Sequence, residues 1–186
     1  MILKKNNIDL EYYNGFFRAY PFFIITSCSL LYLLFDIPYC LFLTIYLILV
    51  GIIGDCLKKG ARKLYHHYDT TYIKGLGIGP RPQNAKYCSE FITESNLSGK
   101  CNSYGMPSGH ALLSVCFAVL LSKFITNYEL PIDQKKYSLM ILWYITSIVS
   151  ISRILLNNHT FCQVTVGSFV GLLFGLIGIK LNNIIM

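Results

Sequence analysis

The chain has 186 residues, of which 54% are apolar and only 13% are charged. It is too apolar for an ordinary soluble domain of this length, so the composition favours a single-domain membrane protein. Lysine and arginine outnumber aspartate and glutamate by 16 to 9, an excess that fits the loops of a membrane protein or an anionic substrate. No basic stripe with interleaved aromatic residues is present, so we expect no nucleic acid partner.

Five long apolar segments follow one another, each close to the roughly 20 residues that cross the hydrocarbon core. After an N-terminal segment, residues 1–20, that we expect to lie at the membrane interface, they span residues 21–35, 38–57, 109–126, 137–156 and 161–179. Because backbone in lipid must satisfy its own hydrogen bonds, helices are expected rather than short strands. The sequence therefore predicts an all-α, polytopic transmembrane bundle of about five to six helices, with residues 21–186 forming one membrane domain.

The fifth segment carries Gly167, Gly171 and Gly175 at four-residue spacing, with Gly178 beyond them. Small residues at this spacing let two membrane helices pack closely. We therefore predict a helix contact along this glycine face, and no part for it in chemistry.

The longest polar stretch, residues 58–108, is predicted to be an active-site loop. It contains GLGIGPRP, which cannot form a regular helix throughout. Cys88 and Cys101 both lie in it and can pair if the loop faces an oxidising compartment. Three cysteines that lie within apolar segments, Cys28, Cys40 and Cys116, are instead expected to be small buried hydrophobes.

Folding the chain through five spans places the N-terminus, this loop and the connection at residues 155–160 on one membrane face. Three groups of polar residues meet there: Lys74 with Arg81-Pro82, Pro107 to His110, and Ser152-Arg153 with His159. Taken singly, each has a simpler interpretation, such as an arginine that snorkels to the interface. Their joint occurrence on one face indicates a common site.

Lys74, Arg81 and Arg153 suit a multiply charged oxyanion, because guanidinium groups match phosphate oxygens and lysine adds a point charge. Ser108 and Gly109 open a helix, whose free N–H groups and positive dipole end favour an anion. Two histidines, His110 and His159, supply the acid, base or nucleophile that phosphoryl transfer requires. Since no acidic cluster suited to Mg²⁺ is present, we expect a site without metal or cofactor.

In this order and spacing the three groups resemble the motifs of the type 2 phosphatidic acid phosphatase superfamily of membrane lipid phosphatases. Those motifs are Lys-x6-Arg-Pro, Pro-Ser-Gly-His and Ser-Arg-x5-His-x3-Asp, and the resemblance covers roughly half of the chain, residues 74–171. It implies that His159 attacks phosphorus to form a phosphohistidine and that His110 protonates the leaving oxygen. It also implies the phosphate-binding residues, which are Lys74, Arg81, Ser108, Gly109 and Arg153.

Two positions depart from the family pattern. Gln163 stands where the family usually has an aspartate that orients the nucleophile. Glutamine can accept a hydrogen bond from His159 and fix its tautomer, but it cannot neutralise an imidazolium. In the family the motif lysine usually ends a membrane helix, and here Lys58 and Lys59 occupy that context while Lys74 has the motif spacing.

The strings HTFCQV and YGMPS-x-H resemble the dolichyl-diphosphatase branch of the superfamily, where a glutamine is usual at this place. This likeness implies a polyprenyl diphosphate substrate, hydrolysed among membrane lipids in the endoplasmic reticulum or a related endomembrane. Phosphatidate hydrolysis, or a catalytically weak scaffold of the same fold, remain as alternatives. The sequence does not indicate an oligomeric state.

The side of the membrane that the site faces is left open by two opposing signals. Twelve of the 16 lysines and arginines fall on the motif face, which by the positive-inside rule is cytoplasmic. The sequon that starts at Asn96 and the resemblance to the dolichyl branch instead favour a lumenal face.

Overall fold

A computed structural model of the protein describes residues 2–67, 81, 82, 85 and 104–185. Within these residues the chain forms five helices: α1 (Ile2–Phe35), α2 (Pro38–His67), α3 (Gly109–Asn127), α4 (Ile132–Leu155) and α5 (Phe161–Ile185). Each contains a stretch long and apolar enough to cross a membrane. The predicted all-α transmembrane bundle is therefore confirmed, and the protein is an integral, multi-pass membrane protein.

The helices extend beyond the apolar segments that predicted them. α2 continues past residue 57 to His67, so residues 58–67, the first ten of the predicted loop, are helical. Lysine, arginine and alanine in this extension are good helix formers, although they carry no membrane signal. α1 likewise joins the N-terminal segment to the first span, Phe17–Phe35, in one helix.

A tight turn joins α1 to α2. Asp36 adopts a positive φ of 49°, which aspartate tolerates better than most residues, and Pro38 then opens α2, where its fixed φ suits a first helical position. The Tyr39 hydroxyl donates to the Leu120 carbonyl at 2.7 Å. The hairpin is thereby fixed against the far end of α3.

α3 lies at the centre of the bundle. The hydrophobic core around it draws buried side chains from four helices: Tyr20, Ile24, Cys28, Leu43, Tyr46, Leu47, Val50, Leu112, Cys116, Leu120 and Val149. Cys40 is also buried. The prediction that Cys28, Cys40 and Cys116 are small buried hydrophobes is therefore confirmed, whereas Cys88 and Cys101 lie outside the described residues.

α5 packs against α3 along its glycine face, as predicted. A Cβ on Gly167 would stand 2.6 Å from the Ser108 carbonyl oxygen, and one on Gly171 would collide with the Leu112 carbonyl. The Ser108 N–H donates to the Gln163 carbonyl at 3.1 Å. This close approach brings the N-terminal ends of α3 and α5 side by side, which positions the site.

Candidate active site

The connection between α4 and α5 holds His159 by its backbone. The N–H groups of Asn158 and His159 both donate to the Arg153 carbonyl at 3.0 Å. Asn157 takes a positive φ of 54°, a conformation that asparagine adopts more readily than most residues at a helix end. As a result, the His159 side chain is only 3% exposed and lies beside the last turn of α4.

Two contacts determine the tautomer of the His159 ring. Nδ1 lies 2.8 Å from the Gly105 carbonyl oxygen, which can only accept, so Nδ1 carries the hydrogen. Nε2 lies 2.9 Å from Arg81 Nη1, which can only donate, so Nε2 presents its lone pair. Burial, and then the positive charge of Arg81, lower the pKa of His159 well below its ordinary value of 6.5. The ring is therefore neutral at neutral pH, with Nε2 as its nucleophilic atom.

Gln163 contacts both the start of α5 and the loop before α3. Its Oε1 accepts from the Thr160 N–H at 3.1 Å, and its own N–H donates to Thr160 Oγ1 at 3.3 Å, which together form a reciprocal cap. A Cβ on Gly105 would collide with the Gln163 amide. Gly105 thus makes the hydrogen bond to His159 that the sequence led us to expect from Gln163, while Gln163 packs against Gly105.

Arg153 presents unsatisfied donors to the interior. It is 2% exposed, and its Nε and Nη2 have no hydrogen-bond partner in the described part of the chain. Ser108 Oγ at the N-terminus of α3 is likewise buried without a partner there. Buried donors left unpaired are costly, so an oxyanion placed between α3 and α4 would satisfy both.

Arg81 completes the cationic side of the site. Its Nη1 donates to the Asn158 carbonyl at 3.0 Å as well as to His159. Burial lowers the pKa of Arg81 to about 10, so it stays charged at neutral pH. Arg81 and Arg18 both lie near enough to Arg153 to interact with it electrostatically, and their mutual repulsion favours a bound anion.

His110, in the first turn of α3, faces α1. Its Nε2 lies 3.1 Å from the Arg18 carbonyl oxygen, to which it donates. It is also near enough to His159 to interact with it electrostatically. The structure therefore brings the two histidines predicted for acid and nucleophile into one site.

Arg18 is 5% exposed and was not among the predicted site residues. It lies just before an apolar span, in the segment of residues 1–20 that was predicted to lie at the membrane interface. Arg18 and Gly105 each contact a histidine ring through the backbone carbonyl, which every residue type has. The residue type therefore does not indicate these contacts. Only the burial of its charge indicates that Arg18 belongs to the site, and that burial is known only from the structure.

The structure describes two of the three candidates for the lysine of the first motif. Lys74 lies outside the described residues, so its phosphate-binding role remains a prediction. Lys58 Nζ lies 3.3 Å from where a Cβ on Gly109 would stand, at the N-terminus of α3, and pairs with Asp55 at 2.9 Å. Lys59 is exposed. Of the two lysines at the end of the second span, the structure brings Lys58 to the site.

A family model described as the PAP2 superfamily matches residues 38–184. The chain belongs to this superfamily. The match contains all the predicted site residues, whereas Arg18 precedes it. No solved structure matches the chain.

One curated relative of this PAP2 protein is Dolichyldiphosphatase 1 of Dictyostelium discoideum. The two are 37% identical over 78 residues, which make up 40% of this chain and 34% of the relative. The chain thus matches about a third of the length of that relative.

Proposed function

We propose that this protein is a lipid phosphatase that hydrolyses a polyprenyl diphosphate of the dolichyl type through a phosphohistidine. One observation carries the proposal: the unprotonated Nε2 of His159 lies within 2.9 Å of Arg81, in a site where buried donors of Arg153 and Ser108 lack partners among the described residues. A neutral imidazole that faces fixed phosphate-binding groups suits attack on phosphorus. Membership of the PAP2 superfamily supports the same chemistry.

In the first step, Nε2 of His159 attacks the terminal phosphorus, and the bond from phosphorus to the bridging oxygen breaks. Once the anionic substrate is bound, His110 holds a proton on each ring nitrogen. It gives its Nδ1 proton to that oxygen and keeps its Nε2 hydrogen bond to the Arg18 carbonyl, so a lipid monophosphate leaves. Arg81 exchanges its hydrogen bond to Nε2 for one to a phosphoryl oxygen. Arg153 and Ser108 bind the other oxygens with donors that are already in place, which keeps reorganisation small.

In the second step, water attacks the phosphohistidine and the bond between phosphorus and nitrogen breaks. His110, now unprotonated at Nδ1, accepts the proton of the water, and inorganic phosphate leaves. Throughout, Nδ1–H of His159 donates to the Gly105 carbonyl, whose partial negative charge stabilises the phosphorylated ring. Lys74 and Gly109 are the further phosphate-binding groups of the proposal.

Two observations support a lipid diphosphate as the substrate. The relative carries the name dolichyldiphosphatase, and Arg18 adds a buried cation beside those of the family motifs. A diphosphate brings more negative charge than a monoester, so an added cation fits it better. Phosphatidate, a monoester lipid, is the second candidate because its phosphoryl group would fit the same donors.

The test uses the purified protein in detergent with EDTA present. Phosphate release is measured from a long polyprenyl diphosphate and from phosphatidate, and alkaline quenching of a terminally labelled diphosphate traps phosphohistidine. We expect preferential hydrolysis of the diphosphate and loss of both release and label in His159→Ala, with His66→Ala as a histidine control. A preference for phosphatidate would show that phosphatidate, and not the polyprenyl diphosphate, is the substrate. No release from either lipid would favour a scaffold.

A further inference from the structure

We propose that the groove between α1, α2 and α3 holds the isoprenoid chain of the substrate, and that Lys58 marks the end of this groove where the chain meets its phosphate. The inference rests on the proposed function for the position of the phosphate. It adds the path by which the lipid enters the bundle.

The groove has a cavity volume of about 260 Å³. Phe22 and Ile25 line it from α1, Ile48 and Gly51 from α2, and Leu113 from α3. It therefore runs from the site end of the bundle into the part of the membrane that these apolar residues occupy. An isoprenoid chain, apolar and branched, matches such a lining.

The polarity of the groove changes from one end to the other. Lys58 and Gly109 line one end, where the Lys58 ammonium faces the N-terminus of α3. That helix end favours anions, and the lysine adds a charge that attracts them. The other described residues of the lining are apolar apart from Asp55, which pairs with Lys58. A groove with one cationic end and an apolar body is complementary to an anionic lipid.

The position of His110 places the leaving group at the same end. His110 follows Gly109 in α3 and donates to the carbonyl of Arg18 in α1. The proposed acid therefore lies at the contact between α1 and α3, beside the end of the groove that Gly109 lines. Because the acid must reach the oxygen of the leaving group, and the leaving group carries the lipid, the chain departs on this side of the site.

Gly51 leaves the middle of the groove open. A Cβ on Gly51 would meet only Leu113 Cδ1, at 4.0 Å, which is ordinary contact distance. A leucine at this position is therefore tolerated by the backbone, while its longer side chain extends into the groove. Gly51→Leu is a direct way to fill the proposed path.

A second apolar cavity, of about 370 Å³, lies on the other side of α1 and is the rival location. Ser27 from α1, Phe117 from α3 and Leu142 from α4 line it. Among the described residues its lining contains no charged side chain, so these residues offer nothing to hold a headgroup. Ser27→Leu fills this cavity and leaves the first groove untouched.

The experiment compares kcat/KM for a long polyprenyl diphosphate and for a short, water-soluble isoprenyl diphosphate. Gly51→Leu should lower the long-chain value about tenfold, equivalent to the lost burial of roughly two methylene groups, and leave the short-chain value within about twofold. Gly60→Leu is the matched control on α2, because a Cβ there meets nothing within 4 Å. It should change neither value.

Equal losses for both substrates, or an effect of Ser27→Leu in place of Gly51→Leu, would overturn the inference. If the unmutated protein hydrolyses neither diphosphate, the proposed function fails, and the groove is tested by binding. A lipid monophosphate with a photoreactive group in mid-chain should then label α1 and α2 peptides, less so in Gly51→Leu. Labelling of α4 peptides would assign the chain to the second cavity.

Discussion

His159 is oriented by a backbone carbonyl, and that changes what Gln163 does in this protein. The Nδ1–H donates to Gly105 at 2.8 Å, so the tautomer is fixed without a carboxylate. The Gly105 carbonyl accepts this hydrogen bond without carrying a charge, although it cannot neutralise a positively charged His159 ring. The Gln163 side chain packs against Gly105, and its Oε1 caps the start of α5. We therefore propose that Gln163 is a positioning residue, which acts on His159 through Gly105.

The two acidic replacements of Gln163 should accordingly differ. Gln163→Glu keeps the length that reaches both Thr160 and Gly105, and glutamate serves this cap as well as glutamine does. Gln163→Asp is one methylene shorter, so it loses the contact with Gly105 and should lower kcat about tenfold more than Gln163→Glu. Steady-state kcat and KM with the lipid diphosphate measure the difference. A gain in kcat with aspartate would show that it replaces Gly105 as the partner of His159.

His159 should also make stability depend on pH. Its pKa is well below 6.5 in the folded protein and near 6.5 in an unfolded chain. Between these two values the unfolded chain binds a proton that the folded protein does not, so stability falls as the pH drops below about 6.5, by at most about 1.4 kcal/mol per pH unit.

This dependence is measured as the Tm in detergent at pH 7.5 and at pH 5, for the unmutated protein and for His159→Asn. Asparagine can still donate to the Gly105 carbonyl, but it does not titrate. The fall in Tm on acidification should be smaller in the variant. The same fall in both proteins would mean that His159 is protonated in the folded state at pH 5.

At the scale of the helices, the contact of α5 with α3 sets the distance between the two halves of the site. Ser108 begins α3 and Gln163 lies in the first turn of α5, joined by a hydrogen bond of 3.1 Å. The glycines below them let the two backbones approach. A change in the helix contact is therefore transmitted to the phosphate-binding end.

Gly171→Val tests that dependence. Its Cβ would collide with the Leu112 carbonyl, which is backbone and cannot turn aside. We expect a loss of about 1–3 kcal/mol in stability, as for other overpacked interiors, together with a loss of phosphate release. Gly60→Val on α2 is the control, because its Cβ contacts nothing. A Gly171→Val protein with normal Tm and activity would show that the interface adapts.

Apolar length and glycine spacing sufficed to predict the helices and their tightest contact, because lipid leaves few alternatives for a long apolar segment. The end of α2 was not predictable in this way, since helix propensity continues there after the apolar signal stops. Motif spacing predicted Arg81, Arg153 and both histidines, which the structure places close together. It could not identify Gly105 or Arg18, whose carbonyls contact the histidine rings, because any residue type supplies a carbonyl.

Across the whole molecule, the described site draws on every helix. α1 provides Arg18, α2 provides Lys58, α3 provides His110 with Ser108 just before its first residue, α4 provides Arg153, and α5 provides Gln163, which follows His159. Arg81 and Arg18 each repel Arg153, as nearby like charges do. An oxyanion that binds among them should therefore hold the ends of all five helices together.

Orthovanadate, a phosphate-like oxyanion, should accordingly stabilise the entire fold. A ligand at 100 times its Kd adds about 2.7 kcal/mol to the stability of the state that binds it, so the Tm in detergent should rise with vanadate concentration. Chloride at equal ionic strength controls for salt, and Arg153→Gln, which removes the buried unpaired donors, should abolish most of the rise. A shift that is the same in chloride, or that survives in Arg153→Gln, would mean that the anion binds elsewhere and that these cations do not form one phosphate site.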